Sequence, residues 1–169
     1  MKFFSANLDS LRKLYVDELE QLYSAETQIV EALPKMIEAA TEPELKKALQ
    51  THLEETRGHV ARVDEILIQE NGLVNPKKCK GIAALITEGE DVIKDATDES
   101  VRDAGIIAAA QKVEHYEIAA YGTARTFAEI LGNNTHSALL NQTLEEEKHA
   151  DSILTGIANT ANAKAIKAA

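Results

Sequence analysis

The sequence predicts an all-α protein, and three observations lead to that fold class. Proline is scarce, with 3 residues in a chain of 169. The helix-favouring residues alanine, leucine, glutamate and lysine are abundant, and long stretches lack the alternation of β-branched residues that a strand needs. Aromatic residues amount to four Tyr, three Phe and no Trp. Because the length suits one domain, we expect residues 1–169 to form a single helical domain.

Turn and capping residues divide the chain into four long helices and one shorter one. The first two are predicted at about 5–40 and 42–71, and Pro34 inside the first predicts a kink or an early end. The last two are predicted at about 99–131 and 135–160. The second and third long helices are joined by a long crossover, whose apolar part predicts a short helix at about 81–95. Short connections elsewhere make each pair of long helices an antiparallel hairpin, so the predicted architecture is a four-helix bundle.

Composition also limits the partners and the location of the protein. The 28 acidic and 18 basic residues give a net charge of −10, which disfavours a nucleic-acid-binding surface. The single cysteine, Cys79, excludes an intramolecular disulfide and a metal site built from several cysteines. No apolar run approaches the roughly 20 residues of a membrane span, and the N-terminus lacks the apolar core of a signal peptide. We therefore expect a cytoplasmic protein without a membrane or nucleic-acid partner.

Ionisable residues interrupt the apolar stripe of every long helix. In the last helix, for example, the predicted inward stripe is Leu139, Gln142, Glu146, His149 and Ile153. From the first long helix to the last, the ionisable residues on or beside these stripes are Glu26; His52, Glu55 and His59; Glu114 and Glu117; and Glu146 and His149. Carboxylates that converge in a core repel one another, and burying them unpaired costs several kcal/mol each. A pair of divalent metal ions would compensate them, whereas the alternative is a hydrated polar layer held by hydrogen bonds.

The spacing of the glutamates favours the metal hypothesis. Glu26 and Glu55 are 29 residues apart, as are Glu117 and Glu146, so the two hairpins behave as a pseudo-repeat. Glu146 and His149 also form a Glu-x-x-His motif, which places both side chains on one helix face. Oxygen and imidazole ligands suit iron, manganese or zinc. Tyr121 and other tyrosines flank this region, either as packing residues or as hydrogen-bond partners of a ligand carboxylate.

Four segments resemble the ferritin-like di-metal carboxylate superfamily, and most closely its bacterial YciF-like stress-response family. The segments are residues 22–26, 52–56, 108–117 and 143–148. The resemblance implies a four-helix bundle, a di-metal site and a homodimer. It also implies metal ligands at Glu26, Glu55, Glu114, Glu117, Glu146 and His149. The chain departs from the pattern at Gly58, where a histidine would follow Glu55 by three residues, so that His52 or His59 must supply the second imidazole.

Three functions remain open at this point. The first is a non-haem di-metal oxidoreductase of peroxidase or ferroxidase type, with iron as the preferred metal and an external electron donor, since rubredoxin-type cysteine pairs are missing from the sequence. The second is iron binding or storage. The third is a structural protein whose bundle a metal stabilises without turnover.

Overall fold

A computed structural model describes residues 8–71 and 77–168, and these residues form a helical bundle. The helices are α1 (Leu11–Ala39), α2 (Pro43–Asn71), α3 (Lys80–Asp95), α4 (Glu99–Ile130) and α5 (Asn134–Ala165), followed by a 3₁₀ turn, Ile166–Ala168. The described residues include no strand. The predicted all-α fold class is therefore confirmed.

The helix ends differ from the predicted ones at two places. The first helix was predicted from about residue 5, but α1 begins at Leu11 because the Ser10 hydroxyl accepts a hydrogen bond from the Lys13 amide. Residues 1–7 lie outside the described part of the chain. The last helix, predicted to end near residue 160, continues to Ala165. The early end predicted at Pro34 is wrong, since α1 runs on to Ala39.

One capping residue and one glycine define the two ends of α4. Asp98 begins the helix by accepting hydrogen bonds from the backbone amides of Ser100 and Val101, at 2.8 and 3.1 Å. Gly132 follows its end with a φ of +79°, a left-handed conformation that glycine adopts without strain. This turn lets α5 fold back along α4.

The long helices pack as two hairpins, α1 with α2 and α4 with α5. Across the bundle, α1 contacts α4 and α2 contacts α5, while α3 packs against α1 and α4. The buried Asp103 of α4 ties the α1–α2 turn to the second hairpin. Its carboxylate accepts hydrogen bonds from the amides of Thr41 and Glu42, both at 2.8 Å, and from the Thr41 hydroxyl at 2.6 Å.

The core consists of two apolar clusters with a polar layer between them. One cluster contains Leu33, Leu49 and Ile106, and the other contains Leu19, Val63 and Leu140. Between the two, each long helix contributes buried ionisable side chains. The apolar clusters fix the helices on both sides of this layer and thereby position the polar side chains within it.

Candidate metal centre

Six buried side chains form the polar layer. None is more than 7% exposed, and they come from all four long helices: Glu26, His52, His59, Glu114, Glu117 and Glu147. Helical spacing of seven residues carries His52 and His59 on one face of α2, and spacing of three carries Glu114 and Glu117 on one face of α4. Both histidines of α2 are buried in this layer, so either of them can supply the second imidazole that the sequence left open.

The six side chains divide into two overlapping groups that have the composition of metal sites. The first group is His52, Glu114, Glu117 and Glu147, and the second is Glu26, His59 and Glu147. Within each group, one possible ligand atom per residue lies within 4.8 Å of the others. Glu147 belongs to both groups. A carboxylate has two oxygens, so this residue can serve two neighbouring ions.

Contacts within the layer connect the histidines to the carboxylates. His59 Nδ1 lies 2.8 Å from Glu147 Oε1 and 3.5 Å from Glu26 Oε1. His52 Nε2 lies 3.3 Å from Glu114 Oε1. Each imidazole therefore faces its carboxylates with a nitrogen that can either carry a proton or bind a metal ion.

Burial in this layer favours protonated carboxyl groups. Burial, followed by the negative charges of Glu147 and Glu26, raises the pKa of Glu117 well above its usual value. Burial, followed by the negative charge of Glu147, also raises the pKa of Glu114 well above its usual value. Burial raises the pKa of Glu26 to about 7, although a hydrogen bond with His59 opposes the shift.

For His59 and Glu147, the attraction between the two groups outweighs the effect of burial on their pKa values. Burial alone would lower the pKa of His59, but hydrogen bonds and charge interactions with Glu147 and Glu26 raise it to about 10. Burial would raise the pKa of Glu147, but its hydrogen bond with the charged His59 lowers it. Protons on His59, Glu114 and Glu117 thus compensate the negative charge when no metal ion does.

The layer fits a pair of divalent cations on two counts. Among the described residues, neither oxygen of Glu117 has a hydrogen-bond partner, and neither does Oε2 of Glu26 or of Glu114. Buried polar atoms without partners are rare in native structures and point to a missing ion or water. Moreover, the four carboxylates of the layer carry four negative charges when ionised, which two divalent ions would neutralise.

Two residues outside the groups hold members of the layer in place. Glu146 accepts a hydrogen bond from His59 Nε2 at 2.9 Å, and Arg62 binds the same carboxylate through both of its terminal nitrogens, at 2.6 and 3.0 Å. A carboxylate bonded to Nε2 fixes the proton there and leaves Nδ1 free to face the layer. On the other side, the hydroxyl of the buried Tyr121 donates to Glu26. The sequence left two roles open for Tyr121, packing in the bundle or a hydrogen bond to a predicted ligand carboxylate. The structure shows the hydrogen bond.

The structure brings five of the eight predicted site residues into the layer and leaves three outside it. Glu26, His52, His59, Glu114 and Glu117 are buried together. Glu55 has a half-exposed side chain near His52, 3.9 Å from its Nδ1. Glu146 is partly exposed and paired with Arg62, and His149 is exposed.

The predicted inward stripe of the last helix is wrong by one position. The buried face of α5 includes Leu140, Leu144, Glu147, Ala150, Leu154 and Ile157. Glu147 therefore occupies the inward position that was predicted for Glu146, although Glu147 is not among the predicted site residues. The signal was present in the sequence. On this face, apolar residues recur on both sides of Glu147 at spacings of three and four, whereas the predicted stripe contains only Leu139 and Ile153 as apolar residues.

Comparison with known proteins places the whole chain in one family. The family model described as "Domain of unknown function (DUF892)" matches residues 10–167. The chain belongs to the DUF892 family. Protein YciF of Escherichia coli (strain K12) is 44% identical to this DUF892 chain over 161 residues, which cover 94% of the chain and 97% of YciF. The predicted likeness to the YciF-like family is therefore confirmed.

Solved structures agree with this DUF892 assignment. The crystal structure of the E. coli stress protein YciF matches with a TM-score of 0.88 and 43% identity, covering 92% of this chain and 99% of that one. YcfI of Rhodopseudomonas palustris, described as a proposed structural protein, matches with a TM-score of 0.86 and 40% identity over 90% and 98% of the two chains. A Xanthomonas campestris protein, 23% identical with a TM-score of 0.77 over 94% and 97% of the two chains, shares the fold. Among the described helices, none combines the length and apolarity needed to cross a bilayer.

Proposed function

We propose that this DUF892 chain holds a di-nuclear metal centre inside its bundle and uses it to react with O₂ or peroxide. One ion would be held by His52, Glu114, Glu117 and Glu147, and the other by Glu26, His59 and Glu147. The observation that carries the proposal is the sharing of Glu147 between two buried groups. A shared carboxylate keeps two ions close enough to act on one small molecule.

The donor set favours iron or manganese. All candidate donors are carboxylate oxygens and imidazole nitrogens, a mixture that suits iron, manganese and zinc, whereas thiolate-rich sites select other metals. Among these metals, zinc does not change its oxidation state. A pair of iron or manganese ions held by these residues would supply the two electrons that, together with two protons, reduce one hydrogen peroxide molecule to two water molecules, and an external donor would return the two electrons.

The chain's own residues support this chemistry through protons and orientation. Burial and neighbouring negative charge raise the pKa values of Glu114 and Glu117, so these residues can carry protons within the buried layer. Glu146 orients His59 and Tyr121 orients Glu26, and both contacts limit the freedom of the candidate ligands. Such restraint favours a defined ligand geometry over adventitious binding.

A second candidate function is a metal-stabilised structural protein without turnover. The description of YcfI as a proposed structural protein favours it, while the name of the E. coli relative refers only to stress. Iron storage would in addition require a large hollow assembly. A homodimer of about 37 kDa, twice the chain mass of 18.4 kDa, is too small for a mineral core. The homodimer, the cytoplasmic location and the external electron donor stay predictions.

One experiment separates these functions. The protein is loaded anaerobically with Fe²⁺, and the ions bound per chain and the peroxide consumed are measured together. The proposed oxidoreductase should consume about one peroxide per two Fe²⁺, and should turn over repeatedly when a chemical reductant is supplied. Two bound ions without peroxide consumption would support the structural protein. A chain that binds no ion would contradict both functions.

A further inference from the structure

A cavity of about 290 Å³ lies between α2 and α5, next to the candidate metal centre. Its inner end is formed by His52 and Glu114, which both belong to the first group of candidate ligands. Its outer end is formed by exposed residues, among them Lys47 and Ile153. The cavity therefore connects the protein surface with a polar layer that is otherwise enclosed.

The walls of this cavity are mainly aliphatic. They consist of Leu49 of α2 and Ala150, Ile153, Leu154 and Ile157 of α5. An engineered apolar cavity of about 150 Å³ binds benzene, so this cavity has room for a molecule about twice that size. Ile153 is 39% exposed at the outer end of the cavity, where it adds apolar surface that a ligand can cover.

The charged residues around the cavity restrict the ligand further. Besides the buried Glu114, two carboxylates line it, Glu44 and Glu55, against one cation, Lys47. An anionic ligand such as a fatty acid would meet net repulsion there. Glu114 lies at the inner end of the cavity and is only 2% exposed. A hydroxyl group that enters the cavity can donate a hydrogen bond to the Glu114 carboxyl, which keeps an acceptor oxygen even when it carries a proton.

We propose that the cavity binds a small, uncharged, apolar molecule with one hydroxyl group, of the phenol or aromatic-alcohol class, and that the hydroxyl lies at Glu114. The apolar body would contact the aliphatic walls, while the hydroxyl would form a hydrogen bond with the Glu114 carboxyl at the inner end. Binding needs only the residues of the cavity. The further statement that the ligand lies beside a metal ion rests on the proposed function.

The first test measures binding of 1-naphthol by calorimetry. Wild type should bind 1-naphthol more tightly than 1-methoxynaphthalene, which lacks the donor, and more tightly than 1-naphthoate, which is anionic. Ala150→Phe and Ala48→Phe fill the cavity from opposite walls and should each weaken binding at least about tenfold. The matched control Ser152→Phe adds the same ring to an exposed position of α5 that does not line the cavity, and should bind like wild type.

Circular dichroism shows whether each variant folds, and having two cavity-filling variants keeps the test valid if one of them does not. Equal affinity in wild type and in a folded cavity-filling variant would overturn the proposal, as would the lack of 1-naphthol binding to wild type or tighter binding of 1-naphthoate.

A second measurement separates this proposal from the proposed function. The protein is loaded with Mn²⁺, and the broadening of the 1-naphthol proton resonances is recorded. Strong broadening in wild type supports both proposals. Cavity-dependent binding without broadening supports the cavity and contradicts a metal ion at Glu114. Broadening that persists in the folded cavity-filling variants would overturn the cavity as the binding site.

Discussion

Replacing Glu147 with Gln tests which residue of α5 belongs to the metal centre. The substitution keeps the size of the side chain but removes its charge and its capacity to offer two anionic oxygens. Glu147 is shared by both candidate groups, so one change affects both ions. The first group keeps His52, Glu114 and Glu117, whereas the second keeps only two residues. We expect the second ion to be lost and the first to be held more weakly.

The structure also indicates the size of the effect. Loss of a residue that merely orients a ligand typically weakens metal binding 10- to 100-fold, so the loss of a ligand should exceed about 100-fold per ion. A 100-fold change corresponds to about 2.7 kcal/mol. At micromolar metal, bound ions should therefore fall from two per chain to one or fewer. The charge balance changes in the same direction, because three carboxylates no longer neutralise two divalent ions.

The matched control is Glu146→Gln, which makes the same chemical change one residue earlier. Glu146 lies outside both groups and contacts His59 Nε2 from the other side. The Gln carbonyl oxygen can still accept that hydrogen bond, so this variant should keep two ions with at most about a 100-fold weaker second site. Elemental analysis after dialysis counts the ions, and calorimetry gives the affinities. The assignment to Glu147 is refuted if Glu147→Gln keeps two ions while Glu146→Gln loses them.

Three further predictions address stability. For the metal-free protein, we expect Tm to fall as pH rises from about 5 to 8. The pKa of Glu26 is raised from 4.5 to about 7, so the stability that its protonation contributes is complete below pH 4.5 and is lost as pH rises through 7. Melting curves should show a smaller fall for Glu26→Gln, and an unchanged slope would contradict the raised pKa. Added Fe²⁺, Mn²⁺ or Zn²⁺ at a thousandfold excess over Kd should stabilise the metal-free protein by about 4 kcal/mol, or roughly 8–16 °C in Tm, with less effect from Mg²⁺. Melting curves that are indifferent to all four ions would leave only a hydrated polar layer. Gly105→Ala should lower the free energy of unfolding in urea by about 1–3 kcal/mol, because the new Cβ would overlap Val92. In the control Gly122→Ala the new Cβ meets nothing within 4 Å, so the free energy of unfolding should rise by about 0.5–1 kcal/mol. Equal effects of the two glycine changes would contradict this packing.

The sequence was sufficient for the fold class and the order of helices because those depend on local signals. The signals are the helix-favouring composition, Gly132 and Asn133 between α4 and α5, and Asp98 at the start of α4. Each of them acts within a few residues. The contact that ties Asp103 to the α1–α2 turn could not be predicted in this way. It joins residues about sixty positions apart, and nothing near Thr41 in the sequence indicates that its hydroxyl faces another helix.

The inward-facing residues of the candidate site were predicted in full on α1 and α4, in part on α2, where Glu55 is partly exposed, and incorrectly on α5. On α1 and α4, flanking leucines, isoleucines and alanines fix the inward face unambiguously around Glu26 and Glu117. On α5, three consecutive glutamates offer three possible registers, and the equal spacing of 29 residues favoured the wrong one. The register that places Glu147 inward follows the buried apolar residues Leu140, Leu144, Ala150, Leu154 and Ile157, and Glu146 then meets Arg62 of α2 at the bundle edge. A contact between distant helices is not visible in the periodicity of either.

The neighbouring residues Glu146 and Glu147 show how one helix can both bind and orient. Successive residues of a helix point about 100° apart, so Glu147 enters the layer while Glu146 reaches the rim. His59 lies between them, with Nδ1 2.8 Å from Glu147 and Nε2 2.9 Å from Glu146. In the metal-free state the charged His59 neutralises part of the negative layer and forms ion pairs with both carboxylates. An ion at Nδ1 would replace one proton, while the bond to Glu146 retains the other and keeps the ring in place. The same contacts therefore stabilise the fold before metal binding and leave the imidazole oriented for it, which explains how the bundle can tolerate four buried carboxylates in either state.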